Sequence, residues 1–153
     1  MSIAKVKKYL DKYNMSSKIQ EFDVSSATVE LAAKALNTEP EKIAKSLTFM
    51  CNDSAIMIVL AGDKKIDNSK YKAEFNSKAK MLTADEVEDL IGHAVGGVCP
   101  FGINEGVKVY LDVSLKRFDF LFPACGSSNS AIKLSLAELE KCSGYIKWVD
   151  VSK

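Results

Sequence analysis

Apolar positions recur along this chain with two periods, and the period changes from segment to segment. Ile3, Val6, Leu10 and Tyr13 follow helical spacing and predict an amphipathic helix over residues 2–14. A short strand is expected from Ile19 to Phe22. Val29, Ala32, Ala33 and Leu36 share one face of a second helix, Thr28 to Leu36. Thr38-Glu39-Pro40-Glu41 has capping-box spacing with an early proline, which predicts a brief helical turn. Ile43–Cys51 and Ser54–Ala61 are apolar stretches of strand length, and Asn52-Asp53 supplies the turn that pairs them.

Beyond the hairpin the pattern loosens. The lysine-rich run from Asp63 to Lys80 predicts one helix near Asn68–Phe75. Thr83-Ala84-Asp85-Glu86 is a second capping box; it opens a helix that turns Val87, Leu90 and Ile91 inward and ends at Gly92. His93 to Gly106 is glycine-rich loop. Strands are expected at Val107–Val113, Phe118–Ala124, Ala131–Leu134 and Tyr145–Val149. A helix capped by Ser135-Leu136-Ala137-Glu138 and running to about Cys142 precedes the last of these. Helices cluster early and strands late, so simple βαβ alternation does not fit. The expectation is an α+β fold: one domain over residues 1–153, with a curved mixed sheet and flanking helices.

Composition narrows the function classes. With 153 residues, 47% hydrophobic and 27% charged, the chain matches a globular domain and excludes a disordered tail or a coiled coil. No apolar run reaches the roughly 18 residues a membrane helix needs. The N-terminus carries no signal-peptide core, so a cytoplasmic location is expected. The net charge is +1, and Arg117 is the only arginine among 21 basic residues. Lysines lack the planar fork that reads guanine edges, so a DNA-reading role is not expected, and any nucleic-acid contact must come from a local patch. Lys64, Lys65, Lys70, Lys72, Lys78 and Lys80 form the candidate patch for phosphates, with a solvated charged surface as the alternative. Cys51, Cys99, Cys125 and Cys142 form no Cys-x-x-Cys pair, so neither a metal nor another cofactor is expected.

Three stretches have the residue types for a site. In Ile43-Ala44-Lys45-Ser46-Leu47-Thr48-Phe49, period two places Lys45 on the same face as three core residues. A lysine there either reaches a pocket or lays its stem on the core and carries its ammonium to water. Gly96-Gly97-Val98-Cys99-Pro100-Phe101-Gly102 can bring backbone N–H groups close to a ligand, or can be an ordinary tight turn. Gly126-Ser127-Ser128-Asn129-Ser130 can line a pocket, or can be a solvated hairpin loop. Two nucleophile schemes lack supporting signatures. Cys99 with His93 has no third orienting group, and Ser127 or Ser128 has no Gly-x-Ser-x-Gly elbow. His93 reads more simply as a histidine favoured by a helix C-terminus.

Taken in order, Thr28…Ala32-Ala33…Leu36, Ile43-x-Lys45-Ser46-Leu47, Gly96-Gly97-Val98-Cys99-Pro100-Phe101-Gly102 and Gly126-Ser127-Ser128-Asn129 resemble the YbaK/EbsC family, also called the prolyl-tRNA-synthetase-associated editing domain family. The resemblance covers about residues 20–150. It implies a free-standing enzyme that hydrolyses the ester of mischarged tRNA, with alanine or cysteine on proline tRNA as the expected substrate. Its partners would be the acceptor end of aminoacyl-tRNA and, as a candidate, prolyl-tRNA synthetase. Lys45 matches the family's functional lysine, Gly96 and Pro100 the ends of its Gly-x-x-x-Pro loop, and Gly126 the glycine of its late pocket loop. Thr28, Ser46, Gly97, Val98, Phe101, Ser127, Ser128 and Asn129 complete the expected substrate-binding set. A module that binds aminoacyl-tRNA or a synthetase without turnover is the competing reading.

Overall fold

The computed structural model describes residues 2–153, and its sheet is built outward from the central hairpin. Strands β2 (Ile43–Cys51) and β3 (Ser54–Ala61) pair antiparallel over their whole length. Asn52 and Asp53 both take positive φ, 50° and 66°, which suits a two-residue hairpin turn and asparagine or aspartate within it. Strand β4 (Lys108–Asp112) adds parallel to β3, and β8 (Lys147–Val149) adds parallel to β4. On the other side β5 (Phe120–Pro123) adds parallel to β2, and β7 (Leu134–Ser135) adds antiparallel to β5. The resulting curved, mixed sheet has the order β7-β5-β2-β3-β4-β8. A second, two-stranded sheet joins β1 (Ile19–Glu21) to β6 (Ser130–Ile132). The α+β expectation holds.

Helices follow their caps. The first, α1 (Ser2–Asp11), stops short of the predicted residue 14 because Asn14 turns left-handed at φ 58° and the Met15 N–H closes on the Leu10 carbonyl at 3.1 Å. Thr28 caps α2 (Val29–Leu36), and Asp67 caps α3 (Asn68–Phe75). Capping boxes form at Thr83–Glu86, opening α4 (Ala84–Glu86), and at Ser135–Glu138, opening α5 (Leu136–Ser143). Beyond α4 the chain widens into a π-helical turn, Val87–Ile91, before Gly92 ends it at φ 98°.

Two expectations are corrected. The turn at Pro40–Lys42 forms, but as a 3₁₀ turn without a capping box: the Thr38 hydroxyl bonds to the Glu39 carboxylate instead of to the backbone. The strand expected at Ala131–Leu134 breaks at Lys133, so that β6 serves the small sheet and β7 the large one.

Apolar burial lies on both faces of the large sheet. The main core gathers Ala44, Met57, Val59, Leu111, Leu121 and Leu134 with Val6 and Leu10 of α1 and Ile91. The opposite face holds Phe49, Ile58, Tyr71 and Val151 in one cluster, and Ile43, Ala32, Ala33 and Phe122 in a smaller one. Central strand β3 accordingly reads as a continuous apolar run from Ala55 to Ala61, as strands buried on both faces do.

Candidate active site

The large sheet has a gap, and the candidate site lies beside it. Strand β5 pairs with β2 only at Ile43 and Ala44. Farther along the same edge, an extended segment takes over: the Met50 N–H donates to the Lys80 carbonyl (2.9 Å), the Leu82 N–H donates to the Thr48 carbonyl (3.1 Å), and Met81 lies opposite Phe49. Main-chain groups alternate sides along a strand, so residues 44, 48 and 50, which bond across this edge, fix the direction of residue 46 as well. The Ser46 N–H and C=O thus face the gap between the two partners, and the buried Ser46 hydroxyl has no hydrogen-bond partner among the described residues.

A cavity of about 410 Å³ opens at this gap. Helix α2 and its cap contribute Thr28, Val29 and Ala32; β2 contributes Ile43 through Thr48. Phe122 and Ala124 come from β5 and its exit, Gly96 and Val98 from the glycine loop, and Ser130 and Ala131 from β6. The walls are mainly apolar, with a few polar groups converging, as small-ligand sites require.

Lys45 is the cation on this lining. It is half-buried, and its Nζ donates to the Gly62 carbonyl at 3.3 Å. Burial lowers its pKa, while Asp63 and Glu30 oppose that shift. Asp63 is itself held by Arg117 through two hydrogen bonds of 3.1 and 2.6 Å, which lowers its carboxyl pKa. The ammonium is therefore not in open solvent, it has no ion-pair partner among the described residues, and Lys45 is one of the residues that line the cavity.

The two predicted loops touch. The Gly126 N–H donates to the Gly97 carbonyl at 2.9 Å, and a Cβ added at Gly97 would sit 2.5 Å from the Gly126 and Ser127 backbone. The Gly97 N–H is spent on the Ala94 carbonyl, whereas the N–H groups of Gly96 and Val98 take no backbone partner among the described residues. The loop thus presents Gly96 and Val98 to the cavity and anchors itself through Gly97. Pro100 and Phe101 lie in the interior behind it, and Phe101 belongs to the main core.

Gly126, Ser127, Ser128 and Asn129 do not line the cavity; they brace the chain that does. The Ser128 carbonyl accepts from the Ser26 N–H at 2.6 Å, next to cap residue Thr28. The Asn129 side chain donates to the Phe22 carbonyl at 2.9 Å, and the Ser127 hydroxyl lies 2.6 Å from that of the wall residue Ser130. No histidine serves Ser127 or Ser128 as a base, because the one histidine is sealed elsewhere.

That histidine and Cys99 do meet, with Sγ 3.6 Å from Nε2. Nevertheless Nε2 lies 2.7 Å from the Phe101 carbonyl, which can only accept, so the nitrogen facing the sulfur carries a proton and cannot take another. Burial pushes the Cys99 thiol up to about 12 and lowers the His93 pKa. His93 is fully buried, with no partner for Nδ1 among the described residues, so it is a neutral interior ring and not a charge resting on a helix end.

Comparison with known proteins adds to this geometry. Residues 23–142 match the model of an aminoacyl-tRNA editing domain. The uncharacterized protein YwhH of Bacillus subtilis is 49% identical over 154 residues, covering 100% of this chain and 98% of that protein. Proline–tRNA ligase of Kosmotoga olearia is 33% identical over 90 residues, 58% of this chain but 16% of the ligase. A solved structure described as a candidate trans-editing enzyme for prolyl tRNA synthetase superposes with a TM-score of 0.89 at 27% identity, over 99% of this chain and 97% of that one.

Proposed function

The chain belongs to the aminoacyl-tRNA editing domain family of the YbaK/EbsC type, and from that premise we propose that it hydrolyses the ester joining a wrong amino acid to tRNA. The observation that carries this reading is the cavity at the sheet gap, lined by Lys45, by Ser46 with its main-chain N–H facing the gap, and by Gly96 and Val98 of the glycine loop. Such a set suits an acyl group with a carbonyl at its end.

An aminoacyl ester is already activated, so donors held in place supply much of what its hydrolysis needs; losing one such donor costs about 2.7–4 kcal/mol in other enzymes. Lys45 is assigned the electrostatic role: it holds the terminal phosphate–sugar end or the oxygen that becomes negative. Ser46, Gly96 and Val98 offer N–H groups to the same acyl carbonyl, and Thr28 borders the entry. Water attacks the carbonyl carbon, positioned by the substrate's own hydroxyl or amino group; the ester C–O bond breaks, and the ribose oxygen leaves with a proton. A polyanionic ligand favours the charged form of Lys45, against a general-base role.

Val29, Ala32, Ile43 and Phe122 close the apolar part of the cavity, which fits a small side chain. Alanyl and cysteinyl esters are the proposed substrates. Proline tRNA is the proposed carrier and prolyl-tRNA synthetase the proposed partner, in line with the ligase and trans-editing relatives. One methylene discriminates by only about 1–3 kcal/mol, so the choice between these esters needs measurement. Single-turnover deacylation of mischarged proline tRNA tests the reading. Wild type is expected to release alanine or cysteine, and Lys45→Ala to do so at least about 100-fold more slowly. Binding of the charged tRNA without ester loss would identify a non-catalytic module instead.

A further inference from the structure

An ester seated in the cavity forces its ribose, base and phosphates out through the mouth, and the surface around that mouth is strongly polarised. We propose that the single-stranded 3′ end of the RNA leaves over Met81 and along Lys80, Lys78 and Lys72, a path that rests on the deacylase reading above.

Met81 lines the cavity yet is 57% exposed, a large apolar side chain held at the entrance. Its thioether is a suitable surface for the face of the last base. The main-chain bonds of Lys80 and Leu82 to β2 fix this segment beside the strand that carries Lys45. A second cavity, of about 390 Å³, is lined by Asn68, Ser69, Lys72, Lys78 and Ala79. Ala79 and Met81 are two residues apart, so at most about 7 Å of chain separates one lining from the next.

Charge gives the path its direction. Lys72, Lys78 and Lys80 are exposed, and none has an ion-pair partner among the described residues. Nearby cations are already engaged: Lys70 binds Asp150 at 3.1 Å and the Ser152 carbonyl at 2.9 Å, and Lys147 binds Glu74 at 2.6 Å. On the other side of Met81 the chain enters the α4 turn, where Asp85, Glu86, Glu88 and Asp89 line an open hollow. Phosphates are repelled there and gain counterion release along the lysines. With a net charge of +1, the whole molecule supplies no such direction by itself.

The test uses one aminoacyl group on three leaving groups: full tRNA, adenosine and methanol. Replacing Lys72, Lys78 and Lys80 together by Gln is expected to lower kcat/KM on tRNA about 10-fold at low salt, and to flatten its logarithmic salt slope by about two. The adenosine ester should be unaffected. The same charge change at Lys8, Lys108 and Lys141 should leave tRNA hydrolysis within about two-fold. Replacing Asp85, Glu88 and Asp89 by their amides should raise the tRNA rate. Met81→Ala should slow both nucleoside-bearing esters and spare the methyl ester. Equal losses from the two lysine triples, or a loss shared by tRNA and adenosine esters in the first triple, would overturn the path while leaving the deacylase reading intact. Failure of wild type to hydrolyse any of the three esters overturns that reading, and the path with it.

Discussion

Two places in this molecule bring together residue types associated with hydrolysis, and they differ in access more than in chemistry. Around Lys45, one lysine shares the lining of an open cavity with Gly96, Val98 and Ser46, whose main-chain N–H faces the sheet gap. Around Cys99 a thiol and an imidazole are in contact, yet both are fully buried, and the ring proton is already committed to the Phe101 carbonyl. Proximity of a nucleophile to a base is therefore insufficient; the base must have a free lone pair, and the pair must meet solvent.

The sharpest break of this contrast is kinetic. If Lys45→Ala loses the expected factor of about 100 while Cys99→Ala stays within about two-fold, the two places are functionally distinct. Treatment with a thiol-alkylating reagent, read by the same deacylation assay, should likewise leave the native rate unchanged. A large loss on Cys99→Ala, in a variant that keeps its urea midpoint, would reverse the assignment.

The next effect is on the frame. Gly97→Ala places a methyl group against the Gly126 backbone, where no flexible side chain can yield. Forced packing of this sort costs about 1–3 kcal/mol, which should appear as a lowered urea midpoint together with slower deacylation. A variant that is destabilised but fully active would show that the loop contact serves the fold alone.

The smallest effect is on pH dependence. Burial lowers the His93 pKa below its ordinary 6.5, so the unfolded chain binds the proton more readily. The contribution of the neutral ring is complete above pH 6.5 and is lost as pH falls through the interval below it. Because His93 is the only histidine, the urea midpoint should drop between pH 7.5 and 5.5. A flat profile would mean that the ring accepts a proton without penalty and that the Cys99 environment is not sealed.

Much of this architecture is legible in the sequence because the signals are local. Asn52-Asp53 sets the hairpin, and Thr28, Thr83 and Ser135 each cap the helix they precede. Lys45 stands out because a cation interrupts an apolar strand, and Gly96 because its loop is rich in glycine. The cavity walls do not stand out: Val29, Ala32, Phe122 and Ala124 read as core residues, since apolar lining and apolar core have the same composition. Met81 and Val95, which also line the cavity and are exposed, escape for the opposite reason, because nothing in their neighbours' sequence marks them as exposed. The bracing role of Ser127 to Asn129 depends on contacts with residues about a hundred positions away, at Phe22 and Ser26, which no window along the chain contains.

The interrupted pairing of β2 has one more consequence. A sheet with a missing rung keeps time: the Ser46 amide, flanked by neighbours locked into the ladder, should swap its hydrogen for deuterium far sooner than Lys45 or Leu47. Anything that settles there and accepts that hydrogen completes the ladder and stops the clock. One resonance in the middle of the protein can thus report occupancy, even for a molecule that is held and never cut.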